Sequence, residues 1–321
     1  MRFFLPIYLA CLLLLTEKTS AQITDCLREQ LKTGQSDDLD KLSADLIALL
    51  PEKDFYMVGE AHTFLANNDL QWSLAKVLHS RGVYNIVNEL PHGTCFLFNQ
   101  YLITGDESLL DNLLPKASYD VLKKIRTWNQ SHPEDRQIRY YGIDYLNPKS
   151  DFRNYQLSLK IILGETTPDD FYADALIRDF IAKDSLSKKE VAAFNENLSA
   201  ALERDKPAAA AHYGRYYTDL KLMASNMIGY RPKRDELIYK SFLVLYENLR
   251  GQSATRPKFF AFYGLGHLNN LANKLEERKS SPVYGNLSRI GIKYFNCIGA
   301  GPTLTAATKG SAILKRKHCS N

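Results

Sequence analysis

Five short apolar runs alternate with helical patterns along this chain, and that alternation limits the fold more than any other feature. The runs Phe55 to Val58, Tyr84 to Val87, Ile138 to Tyr141, Phe259 to Tyr263 and Ile290 to Phe295 have the length of buried strands. Between the first two, Leu70, Leu74, Val77 and Leu78 share one helical face, with Gly82 placed to end the helix. Val121, Leu122, Ile125 and Trp128 repeat the pattern before the third run. Parallel neighbours need a crossover, so the order predicts an α/β fold with a partly parallel central sheet flanked by helices.

From about residue 151 to 250 the pattern is wholly helical. It includes Ser187-Lys188-Lys189-Glu190, a capping-box match, followed by Val191, Phe194, Leu198 and Leu202 on one face. We read this stretch as a helical insertion within one α/β domain spanning residues 22–321. A lid over the active edge of the sheet and a layer on its back face would produce the same pattern.

The amino terminus predicts export. Arg2 precedes an apolar run from Phe3 to Leu15, and Thr19-Ser20-Ala21 before Gln22 has the form of a signal-peptide cleavage site, giving residues 1–21 as the leader. The expected location is the periplasm or the cell exterior, with no transmembrane segment once the leader is removed. About 300 residues then remain, enough for a sizeable core. Losing Arg2, Glu17 and Lys18 takes one unit from the formal charge of +5, and the basic residues are dispersed except near Lys309, Lys315, Arg316, Lys317 and His318. That cluster reads as a solvated end, and nucleic acid is not an expected partner. Cys26, Cys95, Cys297 and Cys319 follow the leader, and an exported protein with four cysteines admits three full pairings.

The chemistry is expected where the strands end. The first run passes into Gly59-Glu60-Ala61-His62, the second into Asn88-Glu89, the third into Gly142-Ile143-Asp144 and the fourth into Gly264-Leu265-Gly266-His267. Ligands of open α/β sheets bind outside the carboxyl ends of the strands, so these groups can converge despite their separation in sequence. Glu60 and His62, two apart, project to one side of an extended segment, where a carboxylate can orient an imidazole for general-base work. Gly264 and Gly266 permit close backbone approach, and a helix beginning near Leu268 would offer its N-terminus to developing negative charge. Asp144 has the placement of a turn or helix cap, His79 that of a helix surface and His132 that of a loop; His92 follows Glu89 closely enough to join the same site. The chain contains no G-x-S-x-G elbow, P-loop, H-E-x-x-H helix, dinucleotide glycine fingerprint or C-x-x-C pair.

Taken in order, Gly59-Glu60-Ala61-His62, Val87-Asn88-Glu89-Leu90-Pro91, Asn99-Gln100-Tyr101-Leu102, Tyr141-Gly142-Ile143-Asp144, Arg234-Asp235 and the Gly264 to His267 segment resemble the blocks of the erythromycin esterase family. Haem-uptake lipoproteins of the ChaN type share the Gly-Glu-x-His opening. The resemblance implies a hydrolase of an ester or lactone in which His62 deprotonates water, Glu60 and Glu89 position the water and the base, and His267 binds or polarises the substrate. Asp144, Arg234 and His92 would contact the small-molecule substrate. No cofactor is implied. Two alternatives use the same crevice: a divalent metal held by Glu60, His62, Glu89 and His267, or haem with His62 or His267 as axial ligand. The chain departs from the family it resembles on the helix after Gly-Glu-x-His, where macrolide-cleaving members look to have an arginine and this chain has Gln71 or its neighbours.

Overall fold

A computed structural model describes residues 39–60, 66–111, 113, 119–166, 171–226, 228, 234–252, 255–278, 281–283, 286–293 and 303–307. The expected leader, His62 and three of the cysteines lie outside them. Cys95 is a free thiol, buried in the core.

The sheet has six strands in the order β3-β2-β4-β1-β5-β6. They are β1 (Phe55–Glu60), β2 (Asn85–Asn88), β3 (Arg139–Gly142), β4 (Phe259–Gly264), β5 (Leu287–Lys293) and β6 (Thr303–Ala307). The first five run parallel and β6 closes the edge antiparallel to β5, so the expected α/β architecture is present. The fifth strand starts at Leu287, earlier than its apolar run, and β6 was not expected, because Thr303-Leu304-Thr305-Ala306-Ala307 has little strand character in isolation.

Alternation along the strands builds a core on each face. Tyr56, Val58, Ile86, Tyr140, Phe260 and Phe262 pack toward α1 (Leu39–Leu49), α2 (Ala66–His79) and α4 (Tyr119–Gln130). Phe55, Met57, Val87, Tyr141, Phe259, Ala261 and Tyr263 pack toward α10 (Arg234–Arg250) and α11 (Leu265–Glu277). Strand β4 lies between β2 and β1, so all six of its residues are buried. Gly82 ends the turn after α2 with φ at +78°, the left-handed conformation glycine adopts without a Cβ penalty.

Helix α3 (His92–Thr104) carries no helical stripe because it is buried nearly all round. Cys95, Phe98, Tyr101 and Leu102 enter the first core, while Phe96 and Leu97 enter a third. This third core belongs to the expected insertion: α5 (Phe152–Glu165), α6 (Tyr172–Ile181), α7 (Lys188–Arg204), α8 (Lys206–Tyr213) and α9 (Tyr217–Ser225). Both halves of the capping box at Ser187 and Glu190 are formed. Among the described residues no strand contributes to that core, which packs on α3, whereas Leu222 of α9 and the residues of α10, both within the 151–250 stretch, reach a sheet face. His79 corrects its surface placement: it is 9% exposed, its Nε2 donates to the Arg136 carbonyl at 2.8 Å, and burial lowers its pKa. Among the described residues no helix is long and apolar enough to cross a membrane.

Candidate active site

The carboxyl ends of β2, β3 and β4 bring Glu89, Asp144, Arg234 and His267 together. Glu89 is the first residue beyond β2, and Asp144 lies two beyond β3, where its N–H donates to the Leu90 carbonyl at 3.1 Å. That bond draws the two strand-end segments together, and Gly142 makes it possible. A Cβ there would fall 2.6 Å from the carbonyl carbon and oxygen of Pro91, and nearer still to the Leu90 oxygen. Arg234 and His267 come from the first turns of α10 and α11, which pack side by side on the same sheet face.

Arg234 is the hub. Its Nη2 donates to Glu89 Oε1 at 2.7 Å and also to Asp144 Oδ2, its Nε donates to Asp144 Oδ1 at 3.0 Å, and its Nη1 donates to His267 Nε2 at 2.8 Å. One face of the guanidinium covers the Tyr145 ring, 5.1 Å from its centroid. Burial disfavours the Arg234 charge, but the hydrogen bonds and charges of Asp144 and then Glu89 outweigh it and raise the pKa, so Arg234 stays a cation. The other Glu89 oxygen accepts from the Gly264 N–H at 2.9 Å. The N-terminus of α11, which starts three residues before its expected position, therefore faces this protein's own carboxylate in place of the developing charge expected there.

His267 is the most open member at 30% side-chain exposure, against 14% for Glu89, 15% for Arg234 and 2% for Asp144. Its Nε2 also lies 3.8 Å from Glu89 Oε1, and its Nδ1 donates to Asp235 Oδ1 at 2.8 Å. The cluster thus holds one guanidinium among three carboxylates, with an imidazole at the solvent side.

His92 stands behind this cluster. Its ring is fully buried, stacked on Tyr141, with Nε2 2.9 Å from Asp219 Oδ1 and Nδ1 accepting from the Gly142 N–H at 3.4 Å. A side chain with no exposure has no surface to offer a substrate, so His92 braces the strand ends rather than facing the crevice. Asn226 makes the connection: its Oδ1 accepts from the His92 N–H at 2.8 Å, and its Nδ2 donates to the Asp144 carbonyl at 3.0 Å. Glu60 ends β1 with its Cα paired to Gly264, which sets its backbone beside the cluster.

Asp235, Asn226, Tyr145 and Asp219 were not picked out as site residues from sequence. Asp235 directly follows Arg234, yet an acid in the first helical turn is commonplace, and no spacing signals that Asn226 reaches back to a strand end. Among the described residues, no group of three or more His, Cys, Asp or Glu side chains is arranged to hold a metal ion.

The fold and cluster define an α/β protein with a polar site at the carboxyl edge of its sheet. No family model matches the chain, and no curated protein does. Among solved structures, a succinoglycan biosynthesis protein aligns over 86% of this chain and 78% of its own at 12% identity, with a TM-score of 0.51, which shows a shared fold. A Bacillus cereus protein aligns over 82% and 70% at 16% identity with a TM-score of 0.47. An erythromycin esterase mutant in its open conformation aligns over 83% and 78% at 15% identity with a TM-score of 0.46.

Proposed function

We propose that this chain is an exported hydrolase of an ester or lactone bond, in which a histidine of the site takes a proton from water and Arg234 stabilises the charge that develops on the carbonyl oxygen. The observation that carries the reading is the convergence of Arg234, Glu89, Asp144 and His267 at the carboxyl edge of a parallel sheet. A preorganised guanidinium in a water-poor site stabilises an oxyanion far better than bulk solvent does. A neutral imidazole beside fixed carboxylates is suited to general-base catalysis near neutral pH.

The Gly59-Glu60-Ala61-His62 segment supports the same reading through the family it resembles, which offers His62 as a base beside His267, with Glu60 and Glu89 orienting water. Asp144 fixes Arg234 from below, and the apolar run from Phe3 to Leu15 supports export. The substrate is a small molecule bearing a carbonyl ester.

The test is hydrolysis of an ester and lactone panel by purified, chelator-treated protein, alongside His62→Ala and His267→Ala and with divalent metal added back. Activity that survives chelation and falls in either variant supports water activation by the histidine replaced. Activity that returns only with metal favours a metallohydrolase. A panel without turnover, joined to a Soret band on haem titration, favours a ligand-binding protein.

A further inference from the structure

The two ring nitrogens of His267 each have a partner, and the partners decide which nitrogen carries the hydrogen. A guanidinium has donors only, so His267 Nε2, 2.8 Å from Arg234 Nη1, accepts. Nδ1 then bears the hydrogen and donates to Asp235 Oδ1 at 2.8 Å. Asp235 is itself held, because its Oδ2 accepts from Asn270 Nδ2 at 2.9 Å and Asn270 lies three residues beyond His267 on the same helix. An acid in the first turn of α10 would favour the helix dipole whatever its direction. The dipole does not explain why this carboxylate is aimed across to α11 with one oxygen on the ring and the other on Asn270.

We infer that Asp235 is a positioning residue that holds His267 as its Nδ1-protonated tautomer, leaving Nε2 as the proton acceptor of the site. The chemical meaning rests on the hydrolase reading above, whereas the tautomer does not. Arg234 covers the Nε2 lone pair in this structure, and a substrate carbonyl that takes the Nη1 hydrogen for itself uncovers it. Nε2 then removes a proton from water as the water oxygen bonds to the carbonyl carbon, and the C=O electron pair moves onto the oxygen facing Arg234. Collapse of that intermediate breaks the bond to the leaving oxygen, which takes from Nε2 the proton that came from water. Asp235 carries the opposing charge while the ring is an imidazolium and does not itself take the proton. His267 in this state has no N–H to offer a substrate, so polarisation of the carbonyl falls to Arg234.

The experiment is a long-range proton–nitrogen correlation spectrum of the full chain labelled with nitrogen-15 histidine. The His267 signals are identified by their loss in His267→Ala. The unmodified protein is expected to show the Nδ1-protonated pattern; because Arg234 alone also makes Nε2 an acceptor, the share of Asp235 is read in Arg234→Gln, where the pattern should persist, and in Arg234→Gln/Asp235→Ala, where it should be lost. On any ester that the unmodified chain cleaves, Asp235→Ala should lower kcat by at least tenfold, and by up to about 10⁴-fold as when the acid orienting a catalytic imidazole is replaced, with little change in KM. An Nε2-protonated pattern in the unmodified chain overturns the inference, as does an unchanged Nδ1 pattern in the Arg234→Gln/Asp235→Ala double variant. A tautomer that responds as expected while no ester is cleaved leaves Asp235 in its role and removes the hydrolase reading instead.

Discussion

Arg234 Nη2 lies 2.7 Å from Glu89 Oε1, although 145 residues separate the two in the chain. The same guanidinium is bonded to Asp144, so one cation ties the ends of β2 and β3 to the start of α10. Asp144 is only 2% exposed, and its charge has no route to solvent if that cation is lost. Arg234→Ala should therefore destabilise the fold by about 3–5 kcal/mol, because it strands a buried carboxylate. Adding Asp144→Asn should recover part of the loss, and urea melts of the two single variants and the double variant measure the coupling. Additive losses would show that the pair does not act as one unit.

The packing around Gly142 gives a second expectation. Its missing Cβ leaves room for the Leu90 and Pro91 carbonyls, which are backbone atoms and cannot rotate away. Gly142→Ala should cost about 1–3 kcal/mol, as overpacking generally does, and should displace the segment that presents Glu89. A variant with unchanged melting temperature and unchanged activity would show that the two segments separate freely.

Asn226 satisfies two buried backbone groups at once, the His92 N–H and the Asp144 carbonyl. Asn226→Leu keeps a similar volume but leaves both without a partner, at roughly 1–3 kcal/mol for each orphaned group. Hydrogen exchange at the His92 amide should accelerate markedly in this variant. Retained protection there would mean that another acceptor replaces the Asn226 oxygen.

Glu236 links α10 to α11 through Arg278, whose Nη1 and Nη2 donate to its two oxygens at 3.0 and 2.7 Å, and through Lys274 at 2.9 Å. The hydrogen bonds from Arg278 and then Lys274 lower its pKa from an ordinary 4.5 to about 2. A carboxylate whose folded pKa is depressed contributes stability that is fully present above the unfolded pKa and is lost as pH falls through the folded one. The melting-temperature difference between the unmodified chain and Glu236→Gln should hence be constant near neutrality, shrink below pH 4.5 and vanish near pH 2. A difference that did not vary with pH would show that Glu236 acts by packing alone.

The sheet and its polar edge were legible because strands buried on both faces must be apolar, and because the change to Glu, Asp and His marks where each strand leaves the core. Glu89, Asp144 and His267 were thus visible as strand-end groups before any geometry, whereas Arg234, at the start of a helix, came only with the family resemblance. Helix α3 was not, since a helix buried nearly all round loses the stripe by which amphipathic helices are recognised. Position in the chain also misled for two histidines. His92 follows Glu89 by three residues yet turns into the core, and His79 occupies a helix end yet is covered by Trp128 and His132. Asp235 and Asn226 act through contacts between helices and strand ends distant in sequence, and local patterns carry no information about those.

The most direct measurement is hydrolysis of an ester and lactone panel by the unmodified chain and by Glu89→Gln, with the fold of both verified by circular dichroism. Glu89 touches both Arg234 and the Gly264 N–H, and the amide keeps its shape while removing its charge. The account predicts turnover by the unmodified chain and at least a tenfold loss in the variant, about 1.4 kcal/mol of transition-state stabilisation. Full hydrolysis by a folded Glu89→Gln protein would contradict it.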